Sequence, residues 1–297
     1  MSEMRRVDQA GVAAIQDKVR DLLVELDRVA TAAEIRYYLA YGTAIGAARD
    51  GDLIPWDVDA DVWLPHDQYD AFLNRAVPLL GPDYELLTAE THSDYEYLFP
   101  RLVFTSIHHV FVRVDVFPLD PAPRSRRLAT LYVQFMHLLG QVFFVKRART
   151  DVRAHYSRGK RILTRLLRLV ASPVPDRVLL RLFRRLQATG SGRSGLLANS
   201  CGSYGGREVF EPAWFARSTT LPIGAAALPV PGEVDEVLSQ IYGDYLTPVG
   251  QAQRRAELEH ATETFVEPLR ELGILPPASS PASSPASPPA TPPGEVS

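Results

Sequence analysis

A chain of 297 residues with 46% hydrophobic and 23% charged residues can bury a sizeable core, as one large domain or two small ones. Its single cysteine, Cys201, excludes an internal disulfide framework and a cysteine-rich zinc site, and fits a reducing compartment. The net charge of -3 conceals a segregation: residues 121–200 hold 17 Lys or Arg against Asp151 and Asp176, a local +15, so the remainder sums to -18. Such an asymmetry points to an acidic catalytic body carrying a basic insertion, with no nucleic-acid partner expected.

In chain order, Val12, Ile15, Val19, Leu22, Leu23, Leu26 and Val29 share one face of a helix over 8–34, and no signal peptide is expected before it. A short buried strand follows at 35–42, then a small-residue helical turn at 43–49 and a strand at 60–65 stopped by Pro65. A helix is expected at 66–80 and strands at 97–104 and 109–120. The apolar stretch 128–145 is the one membrane-span candidate, but Gln134, His137, Gly140 and Gln141 favour a buried or interfacial helix. Residues 191–206 read as a Gly/Ser loop, 207–248 as short strands with a turn, and 250–272 as a helix. From Pro276 the composition is nearly all Pro, Ala and Ser, which cannot bury enough apolar surface to order itself. The expected organisation is an N-terminal helix (1–34), a catalytic core (35–120), a basic helical insertion (121–200), the C-terminal part of the catalytic domain (201–274) and a disordered tail (275–297).

The chemistry concentrates in IPWDVDADV at 54–62. Residues two apart on a strand face one side, so Asp59 and Asp61 project together with Asp57 beside them. Carboxylates this close repel one another and would protonate or bind a cation, Mg²⁺ or Mn²⁺ being the simplest. Asp115, mid-strand among Val112, Val114, Val116 and Phe117, is the expected fourth carboxylate. Solvent-facing loop caps are the alternative, and Asp52 fits that better than Asp59 or Asp61. A calcium loop is rejected, because its sixth and twelfth positions are Val62 and Gln68. Gly42-Thr43 opens a helix whose free N–H groups suit a phosphate. His108 and His109, adjacent on an expected strand, would face opposite sides. Cys201 has no nearby His and reads as inert. Tyr242 and Tyr245 suit either ligand stacking or core packing.

Three motifs then carry a resemblance. Tyr41-Gly42-Thr43, Gly46-Ala47-Ala48-Arg49 and Ile54 through Asp61 come first, Asp115-Val116-Phe117-Pro118-Leu119-Asp120 second, and Tyr242-Gly243-Asp244-Tyr245-Leu246-Thr247-Pro248 third. In this order they resemble the LicD family, which also includes fukutin and fukutin-related protein; many members have Asp where Val58 stands. The resemblance implies an α/β (α+β type) nucleotidyltransferase fold, a mixed sheet flanked by helices. It implies a metal-dependent phosphotransferase moving a phospho-alcohol, such as phosphocholine or a polyol phosphate, from a CDP-activated donor to a hydroxyl of a cell-surface glycan or lipid-linked glycan. By carry-over, Asp59 and Asp61 hold the metal, Asp57 supports them or binds a second ion, and Asp115 completes the site or acts as base. Gly42, Thr43, Arg49 and Arg101 are expected at the donor phosphates, with surface ion pairing as the alternative for the two arginines. A nucleotidyltransferase acting on a small molecule, or a non-catalytic nucleotide- or membrane-binding protein, remain open. The expected location is cytoplasmic, with 121–190 contacting an anionic membrane surface.

Overall fold

The computed structural model describes residues 7–107, 110–148, 168–169, 172–189 and 195–277. Helix α1 (Gln9–Ala32) begins where the Asp8 carboxylate accepts the Gly11 N–H, and it buries the apolar face read from its periodicity. Strand β1 is only Tyr38–Leu39, shorter than the strand expected at 35–42, because helix α2 (Tyr41–Arg49) starts at once. Strand β2 is Ala60–Pro65, as expected. The single helix expected at 66–80 is instead a chain of short turns around α3 (Tyr69–Ala71), including a π turn at 72–76 and a 3₁₀ turn at Pro78. Strand β3 (Tyr84–Leu87) had no sequence signal strong enough to flag it. Strand β4 is Arg101–Phe104 and β5 is Val114–Ala122.

These strands form a mixed sheet in the order β1-β2-β5-β4-β3. Strands β2 and β5 run parallel, while β4 pairs antiparallel with the first residues of β5. The last residues of β5 pair with β6 (Leu196–Asn199), which in turn pairs with β7 (Val209–Phe210). Leu196–Asn199 lies inside the expected Gly/Ser loop, and only its pairing with distant β5 makes it a strand. A second, two-stranded sheet joins β8 (Ser218–Ile223) to β9 (Ala226–Pro231). Helix α6 (Val234–Tyr242) buries Val237, Leu238 and Ile241, a helical spacing that the expectation of short strands passed over. The C-terminal helix expected at 250–272 is α7 (Gln251–Ala261), a π turn and α8 (Glu267–Glu271).

The chain leaves the sheet after β5 and returns at β6, and the basic segment lies between. Two of its helices are described, α4 (Arg126–Arg147) and α5 (Asp176–Thr189). Among the described residues α4 is the one helix long and apolar enough to cross a membrane. It nevertheless packs here: Ala129 and Val133 join Ala122, Ala198 and Val209, and Met136 and Phe143 join Tyr95, Leu98 and Phe183 of α5. The middle of the insertion, His108-His109 and the tail beyond residue 277 lie outside the described residues.

The sheet is buried on both faces, and strand parity decides which residue goes where. Ala60, Val62, Leu64, Val114 and Val116 meet α1 through Ile15, Val19, Leu22 and Leu26. Trp63 and Leu119 face the other way, against Tyr38, Tyr41, Phe210, Phe215 and Ile241. Asp61 and Asp115 share the parity of Trp63 and Phe117, and so lie on this second face. Leu22 of α1 is fully buried in the first cluster. Leu22→Ala should therefore cost about 3 kcal/mol, read as a lower urea midpoint at unchanged m-value.

Candidate active site

The acidic loop is clamped from two sides. From α1, the Gln16 amide donates to the carbonyls of Ile54 (2.8 Å) and Asp57 (2.9 Å), and Arg20 grips Asp52 with two bonds of 2.8 and 2.9 Å. From α2, the buried Thr43 hydroxyl accepts the Asp61 N–H at 2.8 Å. Thr43 is thus spent on positioning Asp61. A Cβ at Gly42 would stand 2.6 Å from Asp57 Oδ2, so only glycine lets the carboxylate sit over the first turn of α2. Tyr41 enters that turn at φ +46°, a left-handed conformation rarely taken by a tyrosine.

Val58, Ala60 and Val62 point into the core, and Asp57, Asp59 and Asp61 are half-buried on the opposite parity. Strand β2 begins only at Ala60, so Asp57 and Asp59 sit on the approach to the strand. Asp61 is in register with Asp115 on β5, and Asp115 with Arg101 on β4. Burial first, and then the neighbouring acids with Asp59 foremost, push the Asp57 and Asp61 carboxyls well above the usual carboxylate range.

Two arginines answer this charge. Buried Arg101 donates Nε to Asp115 Oδ1 at 2.5 Å and a terminal nitrogen to Oδ2 at 3.1 Å, with its guanidinium 4.4 Å from the Tyr97 ring centre. Arg113 pairs with Asp59 and reaches Asp115 Oδ2 at 3.4 Å. Arg101, expected at the donor phosphates, is therefore enclosed beside Asp115. The Asp115 carboxylate is held on both oxygens.

Four carboxylates against two guanidiniums leave two negative charges uncompensated. That charge and the all-oxygen donor set fit a hard divalent cation at Asp57, Asp59 and Asp61. The ligand geometry is not closed: among the described residues no three His, Cys, Asp or Glu are arranged to hold a metal.

The acids open into a groove of about 620 Å³. Its walls bring together the first and third motifs: Arg49, Trp56, Asp57 and Asp59 on one side, Tyr242, Asp244, Tyr245 and Thr247 on the other. Gly243 takes φ +76° to end α6 and release Asp244 and Tyr245 toward the groove. Arg49 pairs with Asp50 at 2.7 Å while lining this wall. Tyr245 donates its hydroxyl to Asp235, so it has a structural bond as well as a groove face.

Several supporting residues carried no sequence signal. Glu208 is fully buried, accepting the Tyr41 hydroxyl and the Tyr204 N–H (2.6 Å), while the Asn199 amide donates to the Tyr41 oxygen at 2.5 Å. Tyr41 stacks on Tyr204 at 5.7 Å, and Tyr204 meets Tyr242 edge-on at 5.2 Å, so this network sets the aromatic groove wall. Asp120, last residue of the second motif, accepts from Gln187 at 2.9 Å and from Ser200, and pairs with His66 at 2.9 Å. Its hydrogen bond holds the His66 imidazole above its usual value. Burial pushes the Cys201 thiol up, which keeps it protonated.

Burial also pushes the Glu208 carboxyl from 4.5 to about 7. Below 4.5 both folded and unfolded states hold the proton; between 4.5 and about 7 only the folded state does. The group's contribution to stability is thus lost as pH rises through that window, by about 3 kcal/mol. Glu208→Gln removes the titration. The unfolding free energy of wild type minus that of the variant should fall by this amount from pH about 4.5 to about 7.5, and a pH-independent difference would refute the assignment.

Residues 34–139 match the family described as LicD/FKTN/FKRP, nucleotidyltransferase domain. The lipopolysaccharide cholinephosphotransferase LicD of Haemophilus influenzae is 40% identical over 57 residues, 19% of this chain and 22% of that protein. The ribitol 5-phosphate transferases FKRP of Mus musculus and Homo sapiens are each 56% identical over 34 residues, 11% of this chain and 7% of theirs. The similarity thus spans less than a quarter of each of these relatives. Residues 34–139, which hold the acid-bearing strands β2 and β5, are thus similar to the nucleotidyltransferase domain of the LicD/FKTN/FKRP family.

Proposed function

We propose that the protein is a phosphotransferase of the LicD and FKRP kind, taking a phospho-alcohol from a CDP-activated donor to a hydroxyl of a glycan or lipid-linked glycan. The carrying observation is the groove in which Arg49, Asp57 and Asp59 face Tyr242, Asp244 and Tyr245. It offers a cation beside acids, with aromatic faces for a base or sugar. The similarity to a cholinephosphotransferase and a ribitol 5-phosphate transferase supports a phosphorus-containing group as cargo.

In this reading the acceptor oxygen forms a new bond to the phosphorus bearing the alcohol. The bond from that phosphorus to CMP breaks, and CMP leaves with the electron pair. Arg49 orients the donor phosphates from the groove wall, and Gly42 lets Asp57 approach them. Asp57, in its ionised form, is placed on the groove wall to receive the acceptor's proton, and burial with the neighbouring Asp59 raises its affinity for that proton. Asp115 keeps Arg101 in place, so the base role expected of it passes to Asp57. Asp59 and Asp61 would hold Mg²⁺ or Mn²⁺, which supplies charge neutralisation at the transferring phosphoryl group.

Incubation with Mg²⁺ or Mn²⁺ and a panel of CDP-alcohols, followed by phosphorus NMR, should show CMP release. The double change Asp59→Ala with Asp61→Ala should lower it by about 100-fold or more while the thermal melt stays cooperative. Pyrophosphate release from a nucleoside triphosphate would instead indicate nucleotidyl transfer, and no turnover of either kind a binding protein.

We further propose that the basic insertion contacts anionic bilayers, where a lipid-linked acceptor would be found. In support, Leu128, Leu131, Phe135 and Leu138 form an exposed stripe on α4, 48 to 60% accessible, and Arg124, Arg126 and Arg127 lie at its start. The protein should sediment with vesicles containing anionic lipid at low salt, and Leu131→Ser with Phe135→Ser should weaken this. Failure to sediment at low salt would end the idea.

A further inference from the structure

Just past the expected Gly/Ser loop lies a carboxylate with no access to solvent. Glu208 is fully enclosed, and a Cβ at Gly202 would collide with its carboxylate, so only glycine leaves it room. Both of its oxygens are engaged. Oε1 accepts the Tyr41 hydroxyl from α2 and the Asn199 amide at 3.4 Å, and Oε2 accepts the Tyr204 N–H at 2.6 Å. Asn199 also donates to the Tyr41 oxygen at 2.5 Å, so the hydroxyl donates to one residue and accepts from the other. Asn199 closes β6 and Glu208 directly precedes β7, two paired strands of the main sheet, so the anchor is rigid.

The anchored residue is the one around which the acids are arranged. Asp61 commits both backbone groups to residues flanking Tyr41: its carbonyl accepts the Ala40 N–H at 2.9 Å, and its N–H goes to the Thr43 hydroxyl at 2.8 Å. Gly42, between Tyr41 and Thr43, is where a missing Cβ lets Asp57 sit over the turn. Tyr41 itself holds φ +46°, and relaxing to ordinary backbone would carry its neighbours with it. Ring packing against Trp63, Phe117 and Tyr204 is weakly directional and tolerates small shifts, whereas a hydrogen bond to an enclosed carboxylate does not.

We propose that Glu208 and Asn199 are positioning residues for the acid cluster, acting through the Tyr41 hydroxyl to hold the first turn of α2 against Asp57 and Asp61. Both lie beyond residues 34–139, in the part of the chain that returns after the insertion. The catalytic consequence rests on the phosphotransfer reading above; the placement of Asp61 does not.

Tyr41→Phe removes the hydroxyl and keeps the ring. With a CDP-alcohol that the wild type turns over, it should lower kcat for CMP release about tenfold or more and leave KM nearly unchanged. In hydrogen exchange followed by NMR, the Asp61 amide should exchange about tenfold faster, while that of Val116, bonded to the Pro100 carbonyl in the same sheet, is unchanged. Glu208→Ala should reproduce the loss in kcat, and Glu208→Gln, which keeps an acceptor for the hydroxyl, should retain most of the activity. Tyr41→Phe combined with Glu208→Ala should fall no further than either change alone. If Glu208→Ala gives no cooperative melt, Tyr41→Phe and Glu208→Gln carry the test. Wild-type kcat and Asp61 exchange in Tyr41→Phe, or additive losses in the double variant, overturn the proposal. A raised KM at unchanged kcat would put these residues at the groove wall and overturn it as well. If the wild type releases no CMP from any CDP-alcohol, the phosphotransfer reading falls; faster Asp61 exchange in Tyr41→Phe then still upholds the positioning, and unchanged exchange overturns it.

Discussion

The parallel pairing of β2 with β5 sets Asp61 directly beside Asp115 inside a sheet covered on both faces. Two carboxylates cannot share such a place without compensation. The response is local and asymmetric. Asp115 takes both bonds of Arg101 from β4, and Arg113 divides itself between Asp115 and Asp59. Asp61 takes its backbone support from Thr43, and its carboxyl is left repelled by its neighbours. The excess negative charge thus collects at Asp57, Asp59 and Asp61, of which Asp57 and Asp59 line the groove.

Much of this was readable from residues alone. The alternation of Val58, Ala60 and Val62 with three aspartates defined a two-faced segment, and Pro65 marked where β2 ends. The apolar spacing of 8–34 gave α1 nearly residue for residue. What was not readable depends on distant partners. Leu196–Asn199 has no strand signature apart from β5, and Arg101 looks like a surface arginine until β4 is laid against Asp115. Glu208 sits in a polar-looking stretch, yet it is fully buried because Tyr41, Asn199 and the Tyr204 N–H supply its hydrogen bonds. Local pattern reports periodicity and turn chemistry; it does not report which charge meets which across a hundred residues.

Tyr41 shows how the distant pieces combine. Its backbone holds a left-handed conformation at the first residue of α2, which costs on the order of 1 kcal/mol. Its ring packs between Trp63, Phe117 and Tyr204, and its hydroxyl ends on Glu208 and Asn199. That many constraints fix the turn, and the turn in turn aims Gly42 at Asp57 and Thr43 at Asp61. Residues from β6 and the loop after it therefore help to set the acids on β2, although no ion pair joins them.

The same aromatic layer separates two spaces of different character. On one side lies a wide groove with excess negative charge; on the other, a small cavity lined by Tyr97, Phe99, Phe117 and Phe144. Arg101 stands between them, its guanidinium bonded to Asp115 and its face on Tyr97. An arginine shared in this way has little freedom to swing toward a ligand, because leaving would strand a buried carboxylate and uncover an aromatic face. It is better understood as a fixed partition between the buried acid on β5 and the aromatic layer beside it.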